Sequence, residues 1–247
     1  MLLRNKTAVV TGCNRGIGKK ILEVFSANGA TVIACVRNIN EEFKTFLNEI
    51  KKKFNNQVIP IQFDLNDESQ VKEAASNILS SNSSIDILVN NAATIHTALF
   101  QMTSIKKLKE LFEADFFSQT LFTQYILKSM IKKKSGSILY ISSSSALDGN
   151  EGRSAYSSAK AAMIAQAKVL SREVGIYNIR VNAIAPGLTN TDMMRKNTPE
   201  EILNEVTSRI SLKRIANPEE IANVALLLSS DLSSYITGQV IRVDGGM

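Results

Sequence analysis

Short apolar, β-branched runs alternate with segments of helical periodicity along almost the whole chain, and this alternation limits the fold more than any other feature. The strand-like runs are apolar throughout, which is typical of strands covered on both faces. They span residues 7–12, 31–37, 57–65, 85–92, 136–143, 179–187 and 240–246. The helical patterns span 16–28, 40–54, 67–80, 103–133, 154–176 and 217–229. This order predicts a single α/β domain over residues 1–247, a doubly wound, seven-stranded parallel sheet with helices on both faces.

Polar residues follow most of the predicted strands, and in a doubly wound sheet the carboxyl ends of the strands share one edge where ligands bind. The segments expected to meet at that edge are 11–18, Arg37, Asp64, 90–93, 142–145 and Pro186–Gly187. Residues 188–211 form a longer excursion after the sixth strand. We predict that they form a lid over the ligand crevice.

The stretch TGCNRGIG, residues 11–18, joins the first predicted strand to the first predicted helix. Its glycines would let the backbone approach a ligand closely, and the helix N-terminus would present unpaired N–H groups to an anion. A tight strand-to-helix turn without a ligand has the same glycine pattern. The loop alone therefore favours a phosphate site but leaves both interpretations open.

The scarcity of histidine and cysteine excludes several chemistries. His96 is the single histidine, so a histidine-rich metal site is impossible and a Ser-His-Asp triad would have to use this loop residue. Cys13 and Cys35 form neither a disulfide framework nor a metal pattern. No signal peptide or apolar run of transmembrane length is visible. We predict a cytoplasmic protein without a metal site or membrane contact.

Basic residues exceed acidic ones, giving a formal net charge of +6. Two clusters, Lys51–Lys53 and Lys132–Lys134, stand at the ends of predicted helices, where cations complement the helix dipole. Solvated helix ends are the simpler interpretation, and attraction to an acidic or phosphorylated partner is the alternative. No aromatic residues alternate with these lysines, which argues against nucleic acid as a partner.

The residues with the clearest chemistry are Ser143, Tyr156 and Lys160. Tyr156 and Lys160 are four residues apart and share one helix face, and Ser143 lies at the end of the fifth predicted strand. A lysine ammonium favours the tyrosine phenolate and lowers the pKa of the phenol from its usual value near ~10. A serine hydroxyl can hold a carbonyl oxygen while the tyrosine delivers a proton.

Together these motifs resemble those of the short-chain dehydrogenase/reductase family, over essentially all 247 residues. TGCNRGIG matches TGxxxGIG, NNAA at 90–93 resembles NNAG, residues 156–160 match YxxxK, and 186–191 resemble PGxxxT. The resemblance implies a Rossmann fold, a nicotinamide cofactor and hydride transfer to or from a carbon–oxygen bond. It also implies that Tyr156 is the acid/base, that Ser143 holds the carbonyl, and that Lys160 contacts the ribose and tunes Tyr156.

The resemblance further implies a set of cofactor contacts. Enzymes that use NAD usually carry an acid at the end of the second strand, where it accepts from the ribose 2′-OH. Here Val36 and Arg37 occupy that place, and Arg15 lies in the glycine loop, which favours NADPH or NADP+ over NAD. The expected contacts are Gly12, Asn14, Arg15, Gly16, Ile17, Gly18, Arg37, Asp64, Leu65, Asn90, Ala92, Tyr156, Lys160, Pro186, Gly187, Thr189 and Thr191.

Two positions depart from the family pattern. Ala93 replaces the final glycine of NNAG, and Asp115 stands where the family usually has an asparagine that helps hold a water in the proton relay. A carboxylate near Lys160 would hold the ammonium charge more tightly and oppose formation of the Tyr156 phenolate. We therefore count Asp115 among the candidate catalytic residues and expect an altered pH profile. Neutral drift at a tolerant position is the alternative.

The substrate is less constrained than the chemistry. Residues 210–222 and 235–246 resemble 3-oxoacyl-[acyl-carrier-protein] reductases, which makes a carrier-bound 3-oxoacyl thioester the leading substrate. Similar stretches occur in enzymes that act on sugar, polyol or glycan-precursor ketones, which are the alternative. A weakly catalytic NADPH-binding sensor or scaffold is the alternative from another class. Arg153 either reaches into the pocket to pair with a substrate carboxylate or phosphate, or stands exposed at a helix start.

The family resemblance also implies an oligomer, a homotetramer or else a homodimer. The predicted helices 103–133 and 154–176 would pack across one interface, and the C-terminal segment across another.

Overall fold

The computed structural model describes residues 1–81 and 84–247, which contain one seven-stranded sheet. All strand pairs are parallel, in the order β3-β2-β1-β4-β5-β6-β7. The strands are β1 (Thr7–Thr11), β2 (Thr31–Val36), β3 (Val58–Gln62), β4 (Ile87–Asn90), β5 (Gly136–Ile141), β6 (Ile179–Pro186) and β7 (Val240–Val243). The strand order reverses between β1 and β4, which opens a crevice at their carboxyl ends. The prediction of a doubly wound parallel sheet is confirmed.

Helices cover both faces of this sheet. They are α1 (Gly16–Ala27), α2 (Glu41–Phe54), α3 (Glu68–Ser81), α4 (Ile105–Phe112), α5 (Ser118–Lys133), α6 (Ser145–Asp148), α7 (Ser154–Val174), α8 (Asp192–Asn197), α9 (Glu200–Arg209) and α10 (Pro218–Ser229). Helices α1, α2 and α10 pack on one face, and α3, α5 and α7 pack on the other. Within the described part of the chain, no helix is long and apolar enough to cross a membrane.

Each central strand contributes to two separate apolar cores. In β1, Ala8 and Val10 belong to the core under α1, α2 and α10, whereas Val9 belongs to the core under α3, α5 and α7. Successive side chains of a strand point to opposite faces, so a sheet covered on both faces buries every residue of such a strand. This two-sided burial is the physical reason for the uninterrupted apolar runs in the sequence.

The prediction of a single helix over residues 103–133 is wrong. In the structure α4 ends at Phe112, a π-helical turn spans Glu113–Phe117, and α5 begins at Ser118. The π turn contains Asp115, whose carboxylate accepts hydrogen bonds from the Thr94 amide at 2.8 Å and the Thr94 hydroxyl at 3.0 Å. One widened turn thus points a carboxylate towards the loop after β4, and π turns are frequent at functional sites.

The segment 188–211 leaves β6 and folds into α8 and α9 beside the crevice. Its opening stretch is fixed by a bridge between Thr189 and Ala216, and by the Thr191 hydroxyl, which caps α8 by accepting from the Met194 amide at 3.2 Å. Closure of this segment over a ligand stays a prediction.

Candidate active site

A cavity of about 1060 Å³ lies at the carboxyl edge of the sheet. Its walls come from the ends of six strands and from the segment 188–211. The predicted site residues that line it are Gly12, Asn14, Arg15, Gly16, Ile17, Gly18, Arg37, Asp64, Leu65, Ala92, Asp115, Ser143, Tyr156, Lys160, Pro186, Gly187, Thr189 and Thr191. The topology therefore brings together positions that are distant in the sequence.

The glycine loop after β1 leaves no room for side chains at two of its positions. Gly12 has a φ of +71°, and a Cβ on it would lie 2.9 Å from the Cα of Ala92. A Cβ on Gly18 would lie 2.2 Å from the carbonyl oxygen of Gly12. The first turn of α1 has no side-chain cap in the described structure, so its N–H groups remain available to an anion in the cavity.

Asn91 is a residue whose role the sequence did not reveal. Its amide donates to the carbonyls of Thr11 at 2.8 Å and Gly12 at 3.2 Å, and so fastens the glycine loop to the end of β4. The Thr11 hydroxyl accepts in turn from the amides of Asn91 and Ala92 at 2.9 and 3.0 Å. The NNAA stretch was a visible signal, but the sequence alone did not separate a loop-fastening asparagine from a ligand-binding one.

Asn90 departs from its expected place. Its side chain is fully buried, and its amide donates to the Thr123 hydroxyl at 2.9 Å, away from the described lining of the cavity. Asn90 is the last residue of β4, and the alternation of side chains along a strand turns it towards α5. A ribose contact through this side chain is not supported by the geometry.

The end of the cavity beside β2 is basic. Arg15 and Arg37 both line it and are exposed. Neither arginine takes part in an ion pair of residues 1–81 and 84–247. Asp64 and Leu65 lie nearby after β3, where one Asp64 carboxylate oxygen accepts from the Asn66 amide at 2.9 Å. Two guanidinium groups without carboxylate partners, beside the glycine loop, suit a phosphate group in addition to the one that the loop would bind.

Ser143 and Tyr156 meet at the centre of the cavity. Ser143 follows β5, and its hydroxyl accepts from the Ser145 amide at 3.2 Å at the start of α6. The side chains of Ser143 and Tyr156 are joined by a hydrogen bond, which lowers the pKa of the phenol. Desolvation is the stronger effect and raises the pKa of Tyr156 to about 12. The lowered pKa that was expected from Lys160 is therefore a wrong prediction, because burial outweighs the effects that favour the phenolate, and Tyr156 is a protonated phenol at neutral pH.

Lys160 lies one turn after Tyr156 on α7 and is fully buried. Its ammonium donates to the carbonyl oxygen of Ile141 at 2.8 Å and stands 5.9 Å from the centroid of the Tyr156 ring. The Ser142 hydroxyl donates to the Lys160 carbonyl at 2.9 Å, which ties the end of β5 to α7. Burial lowers the pKa of Lys160, and the carboxylate of Asp115 opposes this shift.

Asp115 supplies a buried carboxylate on the same wall. One of its oxygens accepts both hydrogen bonds from Thr94, while the other is buried and has no hydrogen-bond partner among the described residues. Burial raises the pKa of Asp115, and Lys160 opposes that shift. The free oxygen provides an acceptor for a water molecule at the position where the sequence predicted one.

Comparisons with known proteins agree with this arrangement. The profile of the family described as Enoyl-(Acyl carrier protein) reductase matches residues 12–247. The chain is 40% identical to the 3-oxoacyl-[acyl-carrier-protein] reductase FabG of Chlamydia trachomatis serovar D, over all of this chain and 98% of that relative. A proposed NAD(P)-dependent gluconate 5-dehydrogenase from Beutenbergia cavernae, solved with NADP at low occupancy, superposes with a TM-score of 0.92. It is 31% identical, over 99% of this chain and 97% of its own.

A further solved structure, described as a short chain dehydrogenase/reductase family protein, superposes with a TM-score of 0.88 at 29% identity. That match covers all of this chain and 98% of the other. The chain belongs to the short-chain dehydrogenase/reductase family of oxidoreductases.

Proposed function

We propose that this protein is an NADPH-dependent reductase that converts a ketone to a secondary alcohol, with a 3-oxoacyl thioester on acyl carrier protein as its leading substrate. The observation that carries the proposal is the continuity of one cavity. The cavity runs from the glycine loop, Arg15 and Arg37 to the Ser143–Tyr156 pair and the buried ammonium of Lys160.

The residues present fit NADPH. Gly12 and Gly18 let the loop pack closely against Ala92 and against its own backbone, and the uncapped first turn of α1 offers N–H groups to a pyrophosphate in the cavity. Arg15 and Arg37 would hold the 2′-phosphate, since the end of β2 carries no acid that would repel it. Lys160, Thr189 and Thr191 would contact the nicotinamide half.

The chemistry that NADPH supplies when bound is a hydride for the carbonyl carbon. Tyr156 donates its phenolic proton to the carbonyl oxygen, because its raised pKa keeps it protonated at neutral pH. The Ser143 hydroxyl donates a hydrogen bond to the same oxygen and stabilises the charge that develops there. Lys160 stabilises the phenolate left on Tyr156, and Asp115 holds a water that returns a proton to this pair.

The choice of thioester rests on the similarity to the FabG of Chlamydia trachomatis over the full chain. A sugar-acid ketone is the second candidate, because a proposed gluconate 5-dehydrogenase has the same fold at a TM-score of 0.92. For an acidic carrier protein the exposed Lys132 and Lys134 offer positive charge, whereas Lys133 is paired with Asp86.

We further propose a cytoplasmic homotetramer. Exposed apolar side chains on the helices predicted to form an interface favour association: Ile105 on α4 is 65% exposed, Phe117 in the π turn 53%, and Val169 on α7 56%. Sedimentation equilibrium measures the number of subunits, and a monomer at all concentrations contradicts this part of the proposal.

The test of the activity is NADPH oxidation with a 3-oxoacyl thioester by the wild type and Tyr156→Phe. Turnover by the wild type that falls at least ~100-fold in the variant is expected if Tyr156 donates the proton. A panel of sugar-acid ketones is run in parallel. NADPH binding with no reduction of any carbonyl would contradict the reductase proposal and favour a cofactor-binding sensor or scaffold.

A further inference from the structure

The substrate end of the cavity contains a guanidinium group that the mechanism does not use. Arg153 immediately precedes α7, three residues before Tyr156, and its half-buried side chain lines the cavity. Residues three apart on a helix are neighbours, with Cβ atoms roughly 5–6 Å apart. Arg153 therefore stands within reach of a group attached close to a carbonyl that contacts Tyr156.

The hydrogen bonds of Arg153 are incomplete. Its Nη2 donates to the carbonyl oxygen of Asn197 at 2.9 Å, at the end of α8. Its Nη1 is buried and has no hydrogen-bond partner in the described chain. Burial lowers the pKa of Arg153, so the protein environment disfavours its charge. A cation that is partly withdrawn from water gains from an anionic or polar partner, because the burial removes part of its hydration.

No side chain of the described residues supplies that anion. None of their ion pairs includes Arg153. Of the acids that line the cavity, Glu205 is paired with Arg209 at 2.5 Å, and Glu151, which is exposed, forms no ion pair with Arg153. The structure therefore leaves one donor of Arg153 without an acceptor beside the substrate space.

Arg180 provides a comparison, because it is a partly buried arginine whose terminal nitrogens both have hydrogen-bond acceptors. It is also partly buried without a paired carboxylate, yet its guanidinium donates to three backbone carbonyls. They are those of Leu228 at 2.7 Å, Ser230 at 3.1 Å and Ile236 at 3.5 Å. Both terminal nitrogens of Arg180 thus have acceptors within the fold, and they join β6 to the end of α10. Arg153 receives one such carbonyl and keeps a free nitrogen.

We propose that Arg153 binds a carboxylate of the substrate and that the site reduces small 3-oxo acids. The inference rests on the proposed function, the reduction of a ketone beside Tyr156. A carboxylate accepts two hydrogen bonds from a guanidinium in a forked geometry, which would complete Nη1. In the reaction the carbonyl carbon gains a hydride taken from NADPH, its oxygen gains the Tyr156 proton, NADP+ leaves, and the carboxylate is unchanged.

The same subsite gives a physical account of thioester binding. In a 3-oxoacyl thioester the neutral C1 carbonyl oxygen takes the place of the carboxylate. It is a weaker acceptor for a guanidinium because it carries no charge. Arg153 is therefore expected to favour the free acid over a neutral ester of the same chain length.

The test compares acetoacetate with ethyl acetoacetate in the wild type, Arg153→Gln, Arg153→Lys and Arg172→Gln. Arg172 is an exposed arginine near the end of the same helix and serves as the matched control. The ratio of kcat/KM for the acid to that for the ester is expected to fall roughly ten-fold or more in Arg153→Gln. It falls less in Arg153→Lys, which keeps the charge but loses the fork, and is unchanged in Arg172→Gln.

An equal ratio in the wild type and Arg153→Gln overturns the inference. Reduction of the ester but not of the acid by the wild type also overturns it, while leaving the reductase proposal intact. If neither compound is reduced, calorimetric binding of acetoacetate to the NADP+-loaded protein decides. Binding that weakens at least ten-fold in Arg153→Gln supports the carboxylate subsite without turnover of either compound, and equal or absent binding overturns it; the reductase proposal is decided separately with the 3-oxoacyl thioester.

Discussion

Asp115 and Lys160 place two buried groups of opposite charge beside one phenol. Asp115 raises the pKa of Tyr156 in addition to the larger effect of burial, and it also opposes the lowering of the pKa of Lys160. An asparagine at this position would hold a water without changing the electrostatics. The aspartate therefore acts on the protonation of Tyr156 through its charge as well as through its free oxygen.

For Asp115→Asn we predict that the fall of kcat/KM at high pH moves to lower pH. Reduction needs a protonated Tyr156, so the rate falls as pH rises through the pKa of this phenol. Removing the negative charge lowers that pKa, and the fall begins earlier. The pH–rate profile of ketone reduction measures the shift. Glu113→Gln is the control, because Glu113 is an exposed acid of the same π turn. Superimposable profiles for wild type and Asp115→Asn would refute a role for the charge.

Arg15 and Arg37 are exposed cations at the end of the cavity beside β2, where the 2′-phosphate of NADPH would bind. For Arg37→Ala we predict that KM for NADPH rises about ten-fold and KM for NADH changes little, since only NADPH carries the 2′-phosphate. Steady-state kinetics with both cofactors provides the measurement. Arg4→Ala, which removes an exposed arginine that lies outside the described lining of the cavity, serves as the control. Equal rises for NADH and NADPH would contradict a contact with the 2′-phosphate.

Single residues show where sequence reasoning reaches its limit. The relative placement of Tyr156 and Lys160 follows from spacing, because a helix places residues four apart on one face, and that of Ser143 follows from the end of a predicted strand. The position of the Asn90 side chain does not follow from the sequence. Neighbouring residues of a strand point to opposite faces, so one position decides whether a side chain faces the cavity or the core. The unpartnered Nη1 of Arg153 could not be predicted either. The sequence fits an arginine that reaches into the pocket and one that is exposed at a helix start equally well.

At the scale of elements, the π turn is held by contacts that cross between segments. The Gln119 amide at the start of α5 donates to the Ala92 carbonyl at 2.7 Å and to the Asp115 carbonyl at 3.0 Å. It links the loop after β4 to the turn that presents Asp115. The apolar periodicity of 103–133 continues through this turn, so the sequence predicted one helix. A π turn differs from an ordinary α-helical turn in its i→i+5 backbone hydrogen bonds, which the apolar periodicity does not reveal.

For Gln119→Met we predict a loss of about 1–3 kcal/mol in the free energy of unfolding, because the partly buried carbonyl of Ala92 loses its donor. The KM for NADPH is also expected to rise, since Ala92 lines the cavity. Urea denaturation and steady-state kinetics measure the two effects. The exposed Gln124 on the same helix gives the matched control Gln124→Met. A variant as stable as this control would show that the link from Gln119 does not hold the turn.

At the scale of the whole molecule, the two cores share one sheet. The strands were predictable because burial on both faces leaves continuous apolar runs, and their parallel direction followed from the long crossovers between them. The carboxyl ends of the strands were less predictable. Asp64 and Ser143 lie within the predicted runs, but in the structure they follow the ends of β3 and β5 and line the cavity. A strand in such a sheet cannot lose one core without exposing half of its side chains.

This coupling predicts one unfolding transition for both faces. Phe25 on α1 and Phe122 on α5 are fully buried in the two opposite cores. Each change to alanine is expected to cost about 3–5 kcal/mol and to lower the same Tm by roughly 10 °C, because either cavity weakens the shared strands. The chain has no tryptophan, so far-UV circular dichroism and calorimetry follow the transition. The exposed Phe100, changed to alanine, is the control. Two separate transitions in either core variant would show that the faces unfold independently, in contradiction to a single sheet stabilised from both sides.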